Sequence, residues 1–209
     1  MMEDGDRSAE YRGMEQGPIR PPSEAASLLL RVTRNCPWNK CRFCPVYKGT
    51  RFSRRPVEHV LADIDAVAQY LYVSLGRKAE AEELAAERRR KFPHLPADDA
   101  LAASVAWSWY QAGMKSVFLQ DANSLVIRPA DMVRILQHLR ERFPWVERIT
   151  TYARSHTLAT HLTDEDLQAM AAAGLNRIHV GVESGSDRIL AMVEKGATKA
   201  LHIEAGRRV

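Results

Sequence analysis

The 209-residue sequence lacks the features that mark secreted and membrane proteins. It contains no run of about 18 apolar residues, the length that a membrane-spanning helix needs. Its polar, acidic first residues contain no apolar core of a signal peptide. The balance of 30 basic and 26 acidic residues gives a net charge of +4, which is too small to indicate a polyanionic partner by itself. We therefore expect a cytoplasmic protein that does not enter a membrane.

Several common kinds of site are absent as well. The sequence contains no glycine-rich phosphate loop, no Ser–His–Asp order and no motif of paired carboxylates. Its seven histidines show no spacing typical of a metal site, and we expect His156 and His161 to be structural or surface residues. Apolar residues make up 45% of the chain, enough for a core that needs no disulfide. The distinctive chemistry must therefore come from the cysteines.

Only three cysteines occur, Cys36, Cys41 and Cys44, and all lie within nine residues. An odd, tightly clustered set does not suit a disulfide framework, and in a cytosolic chain it is more typical of a metal site. A structural zinc ion needs four ligands, but the nearest following histidine, His59, falls within a helical pattern. Three thiolates on a four-iron cluster would leave one iron open to a substrate or cofactor. The pattern favours the cluster, with zinc or unliganded cysteines as alternatives.

Strand and helix patterns alternate through most of the chain. Strands are predicted near residues 27–33, 116–120, 146–152 and 177–182, with helical patterns between and after them, one of them from Pro129 to Arg142. Such alternation favours a parallel sheet with helices outside, and we expect the strands to be adjacent in that order. About four βα units cannot close a barrel of eight, so the α/β fold is predicted to be a partial TIM-type barrel. The chain ends within a helical pattern, which predicts that it is cut short.

The same patterns divide the chain into regions. Residues 1–22 are rich in Gly, Pro and charge, which predicts a flexible N-terminal lead. Residues 23–209 are predicted to form the partial core domain, with a helical insertion at about 76–112. Within this insertion, residues 77–91 are strong helix formers with little apolar face, which is typical of a solvated helix.

The stretch TRNCPWNKCRFCPVYKG, from Thr33 to Gly49, resembles the cysteine motif of the radical SAM superfamily. Members of that family usually have three cysteines separated by three and then two residues, with an aromatic residue before the last. Here Phe43 precedes Cys44 as expected, and the first gap is one residue longer than the common pattern. The resemblance covers roughly residues 19–209, which makes a radical SAM core the expected identity of the partial barrel.

The resemblance implies a specific chemistry. The three thiolates would hold a [4Fe-4S] cluster, and the open iron would bind the amino and carboxylate groups of S-adenosylmethionine. One electron from the reduced cluster would break the sulfonium C–S bond, and the resulting 5′-deoxyadenosyl radical would take a hydrogen atom from a substrate. An electron donor such as a flavodoxin or ferredoxin is implied as a partner. The sequence does not indicate the substrate, and a glycine-rich fifth strand that packs the adenine in the family is absent.

Further cofactor contacts are implied at the carboxyl ends of the predicted strands. Asp121 and Asn123 stand where the family commonly has a Gly-Gly-Glu segment for the amino group, although a helix-capping role would also explain Asp121. Arg154 suits a carboxylate, with a plain surface arginine as the alternative. Glu183 and Ser184 resemble the family's Glu-Ser-Gly segment, and Glu183 would bind S-adenosylmethionine or Arg154. Together with Phe43, these residues are expected to gather beside the cysteines.

Eight basic residues without an acidic neighbour in sequence surround the cysteines. We expect them to lower the thiol pKa values and to offset the charge of the cluster. With the aromatic residues between them, they would also suit phosphates and stacked bases, so a zinc- or cluster-stabilised RNA-binding module is the rival interpretation, and a solvated surface is a third. The eight are Arg31, Arg34, Lys40, Arg42, Lys48, Arg51, Arg54 and Arg55.

Overall fold

The computed structural model describes residues 10–209, which form an α/β fold. The strands are β1 (Leu28–Arg31), β2 (Thr33–Arg34), β3 (Ser53–Arg54), β4 (Ser116–Gln120), β5 (Arg148–Ala153) and β6 (Arg177–Val180). The helices are α1 (Val57–Ser74), α2 (Lys78–Lys91), α3 (Ala100–Gln111), α4 (Pro129–Arg142), α5 (Ser155–Thr160), α6 (Asp164–Ala172), α7 (Asp187–Met192) and α8 (Lys199–Arg207). Among the described residues, no helix is long and apolar enough to cross a bilayer.

Four strands form one parallel sheet in the order β1-β4-β5-β6. In the register, Leu30 pairs with Leu119, Phe118 with Thr150, and Thr151 with Ile178. All five residues of β4 are buried, because this strand has a neighbour on each side and its faces are covered. The predicted parallel order is confirmed, and the sheet with its outer helices is a partial TIM-type barrel.

The core lies between the sheet and a layer of helices. Helix α1 contacts β1, α2, α3 and α4, and it does so with an apolar stripe that repeats every three or four residues. The fully buried members of this stripe are Val60, Ile64, Val67 and Leu71. Helix α4 adds a second stripe, formed by Met132, Ile135, Leu136 and Leu139. Each such side chain contributes about 1.5–3 kcal/mol by burial, so these helices fix the sheet that carries the site.

Helix boundaries follow the local signals in most places. Helix α4 begins at Pro129 and ends at Arg142 as predicted, with proline at its first position. Helix α6 begins after Thr163, which forms a capping box with Asp166. Helix α5, directly after β5, was not predicted, because its six residues are too short to show a helical period. Helix α2 is mostly exposed, as predicted. The bounds of the core domain, 23–209, and of the helical insertion, about 76–112, stay predictions.

Residues 10–22 pack against the core, which corrects the prediction of a flexible lead over 1–22. Tyr11 is 3% exposed and Met14 is 7% exposed. The Tyr11 hydroxyl donates a hydrogen bond to the fully buried carboxylate of Asp63 at 2.8 Å. Contacts made by single side chains along an irregular segment leave no periodic pattern, so the sequence did not reveal them. Residues 1–9 lie outside the described part of the chain.

Candidate functional site

A loop that holds all three cysteines lies at the carboxyl end of the sheet. Strands β2 and β3 pair antiparallel, Thr33 with Arg54 and Arg34 with Ser53, and so bring the two ends of residues 35–52 together. We call residues 35–52 the cysteine loop. Because β2 follows β1 almost directly, the loop begins where a parallel α/β fold places its ligands. Asp121 and Arg154 follow β4 and β5 at the same edge.

The three thiols are free and partly buried. Cys36 Sγ accepts a hydrogen bond from the backbone N–H of Asn39 at 3.4 Å. Among residues 10–209, no three Cys, His, Asp or Glu side chains form a ready-made site for a single metal ion. An iron–sulfur cluster requires a wider arrangement, because each thiolate binds a different iron. Three free thiols on one folded loop are a donor set that fits a cluster.

Two positive side chains act on these thiols. Burial raises the pKa of the Cys41 thiol, and the charges of Lys195 and Arg154 oppose this rise. Burial likewise lowers the pKa of Arg154, and the charges of Cys36 and Cys41 oppose that change. The two effects have one cause: a thiolate and a guanidinium that lie close together in a partly buried site stabilise each other's charge. The open side of the cysteine loop is therefore suited to negative charge.

Asp121 lies beneath the cysteine loop and does not face its open side. The carboxylate is fully buried. Oδ2 accepts hydrogen bonds from Arg31 Nε at 2.8 Å and from the Asn35 backbone N–H at 3.1 Å, and Oδ1 accepts one from the Tyr47 hydroxyl at 3.0 Å. Because these donors occupy both oxygens, the expected contact between Asp121 and the amino group of a cofactor is corrected. Asp121 instead ties down residues on either side of the three cysteines.

Asn123 is also committed to the protein. It is 2% exposed, and its Nδ2 donates to Thr157 Oγ1 at 2.8 Å. Its Oδ1 accepts from the backbone N–H of Arg154 at 3.0 Å. Both ends of the amide are thus used, and the expectation of a direct cofactor contact is corrected here too. Asn123 joins the ends of β4 and β5 and fixes the backbone from which Arg154 projects.

Arg154 reaches across the site and is held on two sides. Its guanidinium carbon lies 4.7 Å from the centre of the Trp38 ring. Nη2 donates to the backbone carbonyls of Lys195 at 2.9 Å and Gly196 at 3.3 Å. Among the described residues, Nε and Nη1 have no hydrogen-bond partner, so part of the guanidinium remains available. A planar, fixed donor of this kind suits a carboxylate.

Glu183 lies three residues beyond β6 and pairs with Lys195 rather than with Arg154. Its Oε1 accepts from Lys195 Nζ at 3.0 Å, and its side chain is 39% exposed. Glu183 therefore lies at an exposed turn, and in this structure its partner is Lys195, not Arg154. Lys195 Nζ also lies 5.6 Å from the centre of the Phe43 ring, which places Glu183 at the same end of the sheet as the cysteines. Ser184 Oγ accepts from the Ser186 backbone N–H at 3.1 Å and so shapes the same turn.

The cysteine loop docks on the connection between α7 and α8. Trp38 Nε1 donates to the Glu194 carbonyl at 2.7 Å, and the Arg42 backbone N–H donates to the Val193 carbonyl at 2.9 Å. Gly196 lies beneath the Trp38 ring with φ +64°, and a Cβ there would lie 2.3 Å from a ring carbon. Only glycine meets both requirements at low cost. This contact sets the position of Trp38 and hence of Arg154.

The basic residues around the cysteines do not all face the thiols. Glu15, from the N-terminal segment, accepts hydrogen bonds or ion pairs from Arg31, Arg34 and Arg55. Arg31 also pairs with Asp121 and Arg55 with Asp63, so these three charges already have carboxylate partners, which corrects the expectation that they offset a bound cluster. The sequence hid this partner because it lies 16 residues before Arg31. Lys195 was missed as well, since its role depends on how α7 and α8 are connected.

Comparison with known proteins agrees with this geometry. A sequence model described as the radical SAM superfamily matches residues 30–209. A solved structure of OxsB, described as a cobalamin-dependent S-adenosylmethionine radical enzyme with aqua-cobalamin and S-adenosylmethionine bound, has a TM-score of 0.50 and 23% identity. OxsB with aqua-cobalamin bound gives a TM-score of 0.51 and the same 23% identity. A search of curated proteins found no match.

The share of each chain that these matches cover decides what can be concluded from them. The likeness to OxsB covers 86% of this chain but 21–22% of OxsB, so this chain spans about one fifth of that enzyme's length. At such identity the likeness shows a shared fold. The family match covers most of the chain, and it includes the complete cysteine loop. This chain belongs to the radical SAM superfamily.

Proposed function

We propose that the chain binds a [4Fe-4S] cluster through Cys36, Cys41 and Cys44 and uses it to cleave S-adenosylmethionine reductively. The observation that carries this proposal is the arrangement of three free thiols on one loop, beside Arg154 and Lys195, at the carboxyl end of the sheet. When bound, the cluster and S-adenosylmethionine would supply the 5′-deoxyadenosyl radical that takes hydrogen from an organic substrate. The protein supplies position and electrostatics.

The cysteine loop provides all three ligands beside two positive side chains. Thiolates bind iron, so the three cysteines must lose their protons. Lys195 and Arg154 favour the thiolate of Cys41 against the effect of burial. Because the site is only partly buried, an incoming cofactor can reach it, whereas the base of the loop is closed by Asp121.

Arg154 is the residue best placed for the carboxylate of S-adenosylmethionine. Trp38 and two backbone carbonyls hold it, and its remaining donors stay available. Glu183 is the carboxylate best placed for the amino group, because only its Oε1 is used, by Lys195, among the described residues. Ser184 supports this turn, and Phe43 packs beneath the Lys195 ammonium. The cofactor would then lie between the ends of β5 and β6.

An electron donor such as a flavodoxin or ferredoxin would approach the cysteine loop from its outer side. Lys40, Arg42 and Lys48 are exposed there, and Phe43 is 48% exposed. Positive and apolar groups on one surface suit a partner with an acidic rim. The substrate would enter on the opposite, cofactor-facing side of the loop.

Anaerobic reconstitution with iron and sulfide tests the proposal directly. We expect about four irons per chain and broad absorption near about 400 nm in the wild type. Cys41→Ala should lose most of the iron and all reductive cleavage of S-adenosylmethionine. A full cluster and normal cleavage in Cys41→Ala would overturn the three-thiolate assignment. A colourless protein that instead takes up one zinc ion would favour the RNA-binding alternative.

A further inference from the structure

The segment from residue 10 to 19, which we call the N-terminal strap, places one carboxylate against three guanidiniums. Glu15 Oε1 accepts from Arg34 Nη2 at 2.6 Å and contacts Arg55 Nε at 2.8 Å. Glu15 Oε2 accepts from Arg31 Nη1 at 3.2 Å and from Arg34 Nε at 3.0 Å. Arg31 ends β1, Arg34 lies in β2 and Arg55 follows β3, so Glu15 joins the strands on both sides of the cysteine loop.

A second layer of bonds connects this cluster to the cysteines. Arg31 donates to Asp121, and Asp121 in turn holds Asn35 and Tyr47. Asn35 directly precedes Cys36, and Tyr47 follows Cys44 by three residues. The path from the strap to the thiols therefore runs through Glu15, Arg31 and Asp121. Every link in it is an ion pair or a charge-assisted hydrogen bond, the stronger kind.

The strap is itself fixed at several other points. Gly17 N donates to the Gln120 side-chain oxygen at 2.9 Å, and Gln120 Nε2 donates to the carbonyls of Gly17 at 3.1 Å and Ile19 at 2.7 Å. The Met14 backbone N–H donates to Asp99 Oδ2 at 3.0 Å. These contacts would hold the strap even if Glu15 lost its charge. Substitution of Glu15 can therefore test the charge alone.

We propose that Glu15 is a positioning residue for the cysteine loop: by pairing with Arg31, Arg34 and Arg55 at once, it holds the loop in the form that accepts a cluster. The role in cluster binding rests on the function proposed above. Without Glu15, three guanidiniums would lie close together, with Asp121 and Asp63 as their remaining carboxylate partners among residues 10–209. Their mutual repulsion would push β2 and β3 apart at the base of the loop, because like charges at this range repel strongly when partly buried.

The test uses the full chain, and its first readout needs no cluster. The cysteine loop contains four trypsin sites, at Lys40, Arg42, Lys48 and Arg51. Cleavage there requires local opening of the loop. In Glu15→Gln we expect cleavage at these sites to be about tenfold faster than in the wild type, which is the size expected for loss of a charge-assisted hydrogen bond. Cleavage within α2, at Arg89 and Arg90, should keep its wild-type rate.

Glu10→Gln is the matched control, because it removes the same charge from the same strap. Glu10 is 61% exposed, and it forms an ion pair with His94, away from the arginines. Its cleavage rate and iron uptake should equal those of the wild type. After reconstitution, Glu15→Gln should hold less than about half of the wild-type iron. Equal loop cleavage in Glu15→Gln and Glu10→Gln would overturn the inference.

A double variant separates charge balance from general damage. Glu15→Gln with Arg34→Gln removes one guanidinium as well, so its loop should be cleaved more slowly than that of Glu15→Gln. If the double variant is cleaved as fast, the repulsion argument is wrong, and circular dichroism will show whether the single variant still folds. The two proposals can fail separately. If the wild type takes up no iron while the loop of Glu15→Gln is still cleaved faster, the proposed function is overturned and the positioning role of Glu15 stands.

Discussion

The two sides of the cysteine loop differ in how their polar atoms are used. On the support side, Asp121 is fully buried and its oxygens bind Arg31, Asn35 and Tyr47. On the open side, Arg154 Nε and Nη1 have no partner within residues 10–209, and Glu183 is 39% exposed and contacts Lys195. Charged residues at the end of a parallel sheet are thus of two kinds. Those with saturated hydrogen bonds build the site, and those with spare atoms can bind a ligand.

This difference predicts which property each side controls. Substitutions on the support side should lower the stability of the chain even before any cofactor is added. Substitutions on the open side should leave stability nearly unchanged and weaken cofactor binding, because their polar atoms are partly in contact with water. The three predictions that follow either strengthen this division or break it.

The largest effect is expected for Asp121→Ala. It removes the buried partner of Arg31, whose side chain is 14% exposed, and leaves the Asn35 and Tyr47 donors unpaired. Breaking a buried ion pair typically costs about 3–5 kcal/mol. Chemical denaturation of the chain without iron should show a loss of this order. The control is Asp131→Ala, which removes an i,i+3 pair with exposed Arg128 and should cost under about 1 kcal/mol. Similar losses in both variants would remove Asp121 from the support of the loop.

An intermediate effect, on binding alone, is expected for Arg154→Gln. The iron content should stay normal, since Arg154 is not a ligand, whereas the affinity for S-adenosylmethionine should fall about tenfold or somewhat more. Calorimetric titration of reconstituted wild type and Arg154→Gln with S-adenosylmethionine measures the two affinities. Arg177→Gln is the control, because Arg177 lies exposed on β6 away from the cysteines. Unchanged affinity in Arg154→Gln would remove it from the cofactor site.

The sequence predicted the framework better than the roles of individual residues. Apolar runs and helical periods depend on neighbours in sequence, so the order of the four parallel strands and both ends of α4 could be predicted. The cysteine spacing located the loop for the same reason. The roles of Asp121 and Asn123 were misjudged, because the donors that saturate them come from distant segments. Strand-end position shows that a residue is near the site, but only its contacts show whether its atoms are free.

The smallest effect is a pH dependence of the support side through Glu15. Burial alone would raise the pKa of Glu15, but the hydrogen bond from Arg34 and the charges of Arg55, Arg34 and Arg31 outweigh burial and lower it. A carboxyl with a lowered pKa in the folded state contributes stability above its unfolded value, and this contribution is lost as pH falls through the folded value. The unfolded value for glutamate is about 4.3.

Wild type and Glu15→Gln should therefore differ in free energy of unfolding by a constant amount from neutral pH down to about 5. The difference should shrink as the pH falls below about 4, because the protonated Glu15 then resembles glutamine. Urea denaturation of both proteins without iron, at several pH values, measures this directly, and Glu10→Gln serves as the control that should show no such change. A difference that persists unchanged to about pH 3 would mean that the shape of the Glu15 side chain, rather than its charge, supports the cysteine loop.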